Sequence, residues 1–72
     1  MKPTEEQLKQ NLEEMYSYYF KLAQKAENKP MGAELSFEEE KAFGAVDAIG
    51  AIYLFCFGGR AMMELWLKNC EQ

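Results

Sequence analysis

Few residues in this chain are of types that could do chemistry. Histidine is absent, so the commonest general base and the commonest metal ligand are both missing. The hydroxyl nucleophile candidates are Thr4, Ser17 and Ser36, and the first and last of these fit helix N-cap positions by pattern. The sequence contains no glycine-rich phosphate loop and no Gly-x-Ser-x-Gly or His-Glu-x-x-His motif. We therefore predict a protein that is not an enzyme and that has no cofactor and no metal site.

Asp47 is the residue whose placement is most unusual. It is the only charged residue in the segment 42–57, which is otherwise apolar or glycine. A carboxylate on an apolar helix face is costly to bury unless it is hydrogen-bonded or paired. We predict that Asp47 is a buried polar residue, satisfied by the hydroxyls of Tyr16 and Ser17, or else a carboxylate left at the surface in a narrow polar gap. Cys56 lies in the same segment, where a buried thiol is unreactive.

An acidic run carries most of the net charge of −4, and its members are Glu34, Glu38, Glu39 and Glu40. Compensation of a helix dipole explains such a run, because carboxylates stabilise a helix N-terminus. A sharper hypothesis is an acidic partner-binding surface that docks on a basic groove as a nucleic-acid mimic. The chain resembles small acidic inhibitors of phages and mobile elements in its size and charge. We expect no direct nucleic-acid binding, because that needs a basic patch.

Two cysteines, Cys56 and Cys70, bear on the compartment and on stability. On one straight helix they would lie about 21 Å apart, far beyond disulfide reach. Free thiols suit a reducing compartment, so we predict a cytoplasmic protein. A chain of 72 residues without disulfide or metal has a small core, and association with another chain is then the remaining way to gain stability.

The first element that must position these residues is a helix over about 4–28. It opens on a capping box formed by Thr4 and Gln7. Apolar residues follow at spacings of four and three along one face, namely Leu8, Leu12, Met15, Tyr19, Leu22 and Ala26. Flanking aromatic residues widen this apolar arc to about 200°, which is more than one neighbouring helix can cover.

A second helix is predicted after a loop of about 29–35. It spans about 36–57, starts with a capping box of Ser36 and Glu39, and is apolar on all sides over 42–57. Such a helix must be central in a bundle or an oligomer. A membrane span is the weaker interpretation, because the longest uncharged stretch, 48–59, is well short of the roughly 20 residues that spanning needs.

Gly58 and Gly59 leave the path of the chain open. A further helical pattern covers about 60–70, and each glycine costs about 1 kcal/mol inside a helix. The chain either folds back at these glycines, which gives three helices, or continues straight beyond the first helix. In the second case another molecule must cover the overhanging methionine and tryptophan side chains.

We predict an all-α, single-domain protein (1–72), built as an antiparallel helical hairpin whose second helix is either long or broken at Gly58-Gly59 into a third, and dimerising into a helical bundle. The predicted self-association or partner interface comprises Tyr18, Ile49, Ile52, Tyr53, Phe55, Cys56, Arg60, Met62, Met63 and Trp66. The predicted function is non-enzymatic protein–protein interaction, as an adaptor or as an inhibitor that binds a larger protein. The alternatives are the acidic decoy described above and a membrane-associated helical protein.

Overall fold

Three α-helices make up the computed structural model, which describes residues 2–71. They are α1 (Glu5–Glu27), α2 (Phe37–Phe57) and α3 (Gly59–Cys70), and no strand occurs within the described range. The all-α prediction is therefore confirmed. Met1 and Gln72, which the predicted domain 1–72 includes, lie outside the described residues.

Helices α1 and α2 both begin with the predicted capping boxes, which are confirmed. The Thr4 hydroxyl accepts a hydrogen bond from the Gln7 backbone N–H at 3.1 Å, and the Gln7 side chain accepts one from the Thr4 N–H at 2.9 Å. Ser36 and Glu39 repeat this arrangement, with both hydrogen bonds at 3.1 Å. Each box satisfies two N–H groups that the first helical turn would otherwise leave without a partner.

Gly58 separates α2 from α3. Its φ of 91° lies in a region that glycine adopts at no steric cost, and its N–H donates to the Leu54 carbonyl at 2.9 Å. The Met62 N–H in turn donates to the Gly58 carbonyl, which starts α3. The Met62 side chain packs over Gly50, so α3 folds back along α2 instead of continuing straight.

The core lies where the three helices meet. Its buried cluster consists of Leu12, Tyr16, Ile49, Tyr53 and Leu65, so each helix contributes at least one side chain. Contacts of α2 with α1 and with the loop that follows it pair residues in reverse order along the chain: Lys29 with Glu39, Tyr16 with Gly50, and Glu13 with Tyr53.

The buried stripe of α1 differs from the expected one. Leu12 and Ala26 are buried as expected, but Leu8 and Met15 are 43% and 47% exposed. Tyr16, expected only to widen the stripe, is 3% exposed and lies in the core. The buried stripe of α1 is rotated toward Tyr16 because both α2 and α3 pack against α1. The centre of the stripe therefore faces the gap between α2 and α3.

The loop between Glu27 and Phe37 is closed by one side chain. The Lys29 ammonium group reaches the Glu39 carboxylate at 2.5 Å and the Glu34 carbonyl at 3.4 Å. We call the Lys29–Glu39 pair the clasp. Beyond it the loop projects outward: Met31 is fully exposed and Gly32 has a φ of 90°. The clasp therefore fixes the base of the loop and leaves its tip free of contacts with the helices.

Candidate interaction surface

The two sides of α2 differ in burial but not in polarity. Toward α1 it buries Ala42, Ile49 and Tyr53. Six residues at spacings of 4, 3, 4, 3 and 4 lie on the opposite side, and all are exposed: Phe37, Lys41, Gly44, Ala48, Ala51 and Phe55. We call this set the outer seam. Five of its six members carry no charge, so the seam is an apolar stripe that faces solvent.

Phenylalanine side chains mark both ends of the outer seam. Phe37 is 79% exposed and Phe55 is 91% exposed. Large apolar residues flank the stripe, with Ile52 at 50% and Leu54 at 48% exposure. No other part of the chain within residues 2–71 covers this face. Contiguous exposed apolar surface of this kind marks sites of interaction with another molecule.

Asp47 lies beside the outer seam and is exposed, so the prediction of a buried carboxylate is wrong. The side of α2 that faces α1 is filled by Val46, Ile49 and Tyr53. Because each residue turns the helix by 100°, Asp47 points away from Val46 toward solvent. Within residues 2–71 it makes no hydrogen bond and no ion pair.

The structure divides the predicted interface residues into three groups by exposure. Exposed residues are Tyr18, Ile52, Phe55, Cys56, Arg60, Met63 and Trp66, while Met62 is half-buried against the core. Ile49 and Tyr53 are core residues, 6% and 1% exposed, so their assignment to an interface is wrong. The reason is geometric: both point from α2 toward α1, and a helix that is apolar on all sides gives no periodicity to reveal this.

A hydrogen bond that was not predicted links α1 to α2. The Tyr53 hydroxyl donates to the Glu13 carboxylate at 2.6 Å. Burial, and next this hydrogen bond, raise the pKa of Tyr53 well above its usual value. The sequence does not reveal this pair, because it depends on the register between the two helices, which brings Glu13 level with Tyr53.

The acidic candidates are also divided. Glu39 is 5% exposed, bound to Lys29 and to the Ser36 N–H. The hydrogen bond from Lys29, followed by that from the Ser36 backbone, lowers the pKa of Glu39 from 4.5 to about 2. The prediction that Glu39 contacts a partner is therefore wrong, because this side chain closes the loop. Glu34, Glu38 and Glu40 remain exposed.

A second apolar strip lies on α3. Met63 is 62% exposed, Trp66 48% and Leu67 44%, and these residues share one face of the helix with the exposed Cys70. Arg60 lies one turn before Glu64, and their side chains approach to 3.6 Å. Both groups are largely exposed, so this pair adds little stability and leaves the guanidinium group available.

An open groove of about 990 Å³ runs along α1 on the side of α3. Leu22, Leu65 and Tyr18 provide its apolar surface, and lysines and glutamates of α1 alternate around it. The mixed charge gives the groove no preference for a cationic or an anionic ligand.

The groups that catalysis, metal binding or membrane insertion would use are the acidic residues, the two cysteines and the apolar helices of residues 2–71. No set of three or more Cys, Asp or Glu side chains is arranged to hold a metal ion. Both cysteines are exposed free thiols, so the expected burial of Cys56 is wrong. None of the three helices combines the length and the apolar character that crossing a bilayer requires.

Comparison with protein-family models, with curated proteins and with solved structures finds no match to this chain.

Proposed function

We propose that this protein is a non-enzymatic helical interaction module of the cytoplasm, which acts as an adaptor or an inhibitor by burying its apolar helix faces against another protein. In this proposal α1 and α2 are the arms of an antiparallel hairpin, which associates with a partner into a larger helical bundle. The observation that carries the proposal is the outer seam, with Phe37 79% and Phe55 91% exposed.

Energetics favour a partner that covers the whole seam at once. Burying one large apolar side chain contributes about 1.5–3 kcal/mol. Association costs at least about 4 kcal/mol in lost freedom of motion. One phenylalanine alone cannot offset that cost, so Phe37 and Phe55 have to be buried together with flanking residues such as Ile52. A helix of similar length lying along α2 would do this.

The decisive test places a charge on the seam without disturbing the fold. Phe55→Asp changes a side chain that touches little else, and Met31→Asp is a matched control at the exposed loop tip. Tagged proteins would be cross-linked in the native cell extract, and the retained proteins identified by mass spectrometry. We expect proteins that wild type and Met31→Asp retain and Phe55→Asp loses. Identical sets for all three would refute the proposal.

A second candidate, the acidic decoy, is favoured by three exposed carboxylates near the start of α2, those of Glu34, Glu38 and Glu40. Changing these three to Gln leaves the Lys29–Glu39 clasp intact. If a basic groove is the target, the triple variant should bind more weakly and its affinity should depend less on salt. A complex that salt does not affect would exclude this function.

A third candidate, association with a lipid surface, would use the same outer seam. Sedimentation with vesicles of neutral and of anionic lipid tests it directly. Binding that Phe55→Asp abolishes would support a membrane role, whereas protein that stays in the supernatant with both lipids would exclude it.

A further inference from the structure

We infer that a notch between α2 and α3 binds an arginine side chain of the partner protein. Its walls are the Asp47 carboxylate and the Trp66 ring, and its base is the Tyr16 hydroxyl. We call these three groups the α2–α3 notch. This inference rests on the proposed function and adds a polar contact to it, at a surface separate from the outer seam.

Two contacts set the register of α3 against α2. A Cβ placed at Gly59 would lie 3.8 Å from the Leu54 Cδ1, and a Cβ placed at Gly50 would lie 3.8 Å from the Met62 Sδ. The residue numbers rise on α3 as they fall on α2, so the two helices run antiparallel along this contact. Each further turn of α3 is therefore level with the preceding turn of α2.

Asp47 and Trp66 are level with each other in this register. Asp47 lies three residues before Gly50 and Trp66 lies four residues after Met62, and each step is about one helical turn along the same side of its helix. Both side chains are exposed, Trp66 by 48%. Within residues 2–71 the Asp47 carboxylate has no ion-pair or hydrogen-bond partner. Its charge is therefore available to a ligand.

Asp47 and Trp66 also lie on the same flank of the contact between α2 and α3. Ile49 faces α1 and is two residues from Asp47, while Lys68 lines the groove along α1 and is two residues from Trp66. Two residues turn a helix by about 200°, so both Asp47 and Trp66 point away from α1. The gap between them opens toward solvent on the side opposite α1.

The Tyr16 ring reaches this gap from the α1 side. Its Cε2 and the Met62 side chain both lie within 4 Å of a Cβ placed at Gly50, so the ring extends from α1 to the contact between α2 and α3. Tyr16 is 3% exposed, and its hydroxyl makes no hydrogen bond within residues 2–71. The hydroxyl is nevertheless not among the fully enclosed polar atoms, so it reaches the surface at the base of the notch.

The electrostatics of Tyr16 agree with this placement. Burial, followed by the charges of Cys70 and of Asp47, raises the pKa of the Tyr16 hydroxyl. One of these two charged groups belongs to α3 and the other to α2. The hydroxyl therefore lies within the electrostatic reach of both helices, as a group at the base of the gap between them must.

The three groups of the notch suit a guanidinium group better than other ligands. A carboxylate accepts two parallel hydrogen bonds from arginine, the face of an indole ring attracts a cation, and the phenol oxygen accepts a further N–H. A lysine ammonium group is compact and strongly hydrated, so it matches this planar arrangement less well. A metal ion needs more oxygen ligands than one carboxylate and one phenol supply. The Asp47 charge disfavours an anionic ligand.

The first experiment uses Trp66, the only tryptophan of the chain, as the reporter. The peptide acetyl-Gly-Arg-Gly-amide is titrated into the purified full chain while the tryptophan fluorescence is recorded. Matched peptides carry lysine or citrulline, the uncharged isostere of arginine, in its place. We expect a saturable response to the arginine peptide with a Kd in the millimolar range, about threefold weaker binding of lysine and at least about tenfold weaker binding of citrulline.

The second experiment removes the charge of the notch. Asp47→Asn keeps the shape of an exposed side chain that makes no contact of its own, so the chain stays folded, and it should raise the Kd for the arginine peptide about tenfold. Glu40→Gln is the matched control, because it removes one exposed carboxylate elsewhere on α2 and changes the net charge equally. It should leave the Kd as it is.

The third experiment tests the base of the notch. Tyr16→Phe removes only a hydroxyl that has no partner within residues 2–71, so the urea midpoint of the free chain should not fall. The Kd for the arginine peptide should rise about threefold. A variant that loses stability without losing affinity would show that this hydroxyl supports the core and does not meet the ligand.

Each outcome can be told apart from the test of the proposed function. Equal binding of the arginine and citrulline peptides, no saturable response to arginine, or equal affinities of Asp47→Asn and Glu40→Gln would each overturn the arginine site. If Phe55→Asp still loses proteins that wild type retains, the proposed function stands without the notch. If Phe55→Asp loses none while the notch still distinguishes arginine from citrulline, the proposed function falls and the notch is a site for arginine-bearing peptides alone.

Discussion

Helices α1 and α2 have nearly the same length and begin with the same capping arrangement, yet their outward sides differ in composition. The outward side of α1 is largely charged or amide-bearing, as at Gln10, Glu14, Lys21 and Lys25, all of which are exposed. The outward side of α2 is the apolar outer seam. Contacts within the chain bury or half-bury only about half of the apolar residues of α2. The other half is exposed in the single chain.

Truncating one aromatic residue on each side of α2 should have the largest and most unequal effects on stability. Tyr53→Ala removes a buried ring and should cost about 3–5 kcal/mol in the free energy of unfolding. Phe55→Ala removes an exposed ring and should change the stability of the monomer by less than about 0.5 kcal/mol. Urea unfolding, run dilute enough to keep the protein monomeric, measures both. Equal losses would show that the outer seam also stabilises the monomer.

Gly58, at the junction of α2 and α3, and Gly44, on the outer seam, should change stability in opposite directions when replaced by alanine. Gly58→Ala forces a side chain into a backbone conformation with φ of 91° and should destabilise the chain by about 1–2 kcal/mol. Gly44→Ala lies inside a helix with open space around it and should stabilise the monomer by up to about 1 kcal/mol. Thermal unfolding of the two variants provides the measurement. A stabilising Gly58→Ala would mean that α2 and α3 tolerate a continuous helix.

The hydrogen bond between Tyr53 and Glu13, on the side of α2 that faces α1, predicts that the protein loses stability at alkaline pH. The folded protein raises the pKa of Tyr53 above its usual 10.0, so the neutral hydroxyl is favoured by folding. Its contribution is present below about pH 10 and is lost as the pH rises toward the folded pKa. Tyr53→Phe should cost about 1 kcal/mol at neutral pH and should reduce the loss of stability above pH 10. An unchanged alkaline profile in this variant would assign the loss to other groups.

The ion pair of Lys29 and Glu39 at the start of α2 predicts a loss of stability in acid. Glu39 has its pKa lowered from 4.5 to about 2, so its stabilising contribution is complete above about pH 4.5 and is lost as the pH falls toward 2. Glu39→Gln should therefore flatten the dependence of stability on pH in that range. Glu38→Gln, an exposed neighbour, is the control and should leave the dependence as it is. Parallel unfolding curves at pH 2.5 and 5 compare the two variants.

Local sequence signals were sufficient for the helices but not for the orientation of α2. Capping boxes at Thr4 and Ser36 and the glycine pair at 58–59 gave the helix starts and the possible break, because these signals act within a few residues. The inward side of α2 depends instead on its register against α1 and on the return of α3. Ile49, Tyr53 and Asp47 were misassigned for this reason, since an all-round apolar helix has no periodicity to orient it.

The exposed residues of the candidate surface could likewise be predicted from the sequence only in part. Phe55, Met63 and Trp66, predicted as interface residues, are exposed, and their contact with a partner stays a prediction. The burial of Glu39 could not be predicted from the acidic run, because its partner Lys29 lies on the other side of the loop. A count of charges treats the four glutamates as equivalent. In the fold, however, Glu39 accepts hydrogen bonds from Lys29 and from the Ser36 N–H and so closes the loop.

The clasp formed by Lys29 and Glu39 also determines where the chain accepts additional sequence. Because it fixes the base of the loop, the segment from Met31 to Gly32 has no bond of its own to the helices and points into solvent. Lengthening such a loop costs little, about 0.6 kcal/mol for each doubling. A fluorescent reporter or an affinity peptide inserted between these residues would leave the core, the outer seam and α3 unaltered. The loop tip is therefore the natural point of attachment for following this protein in a living cell.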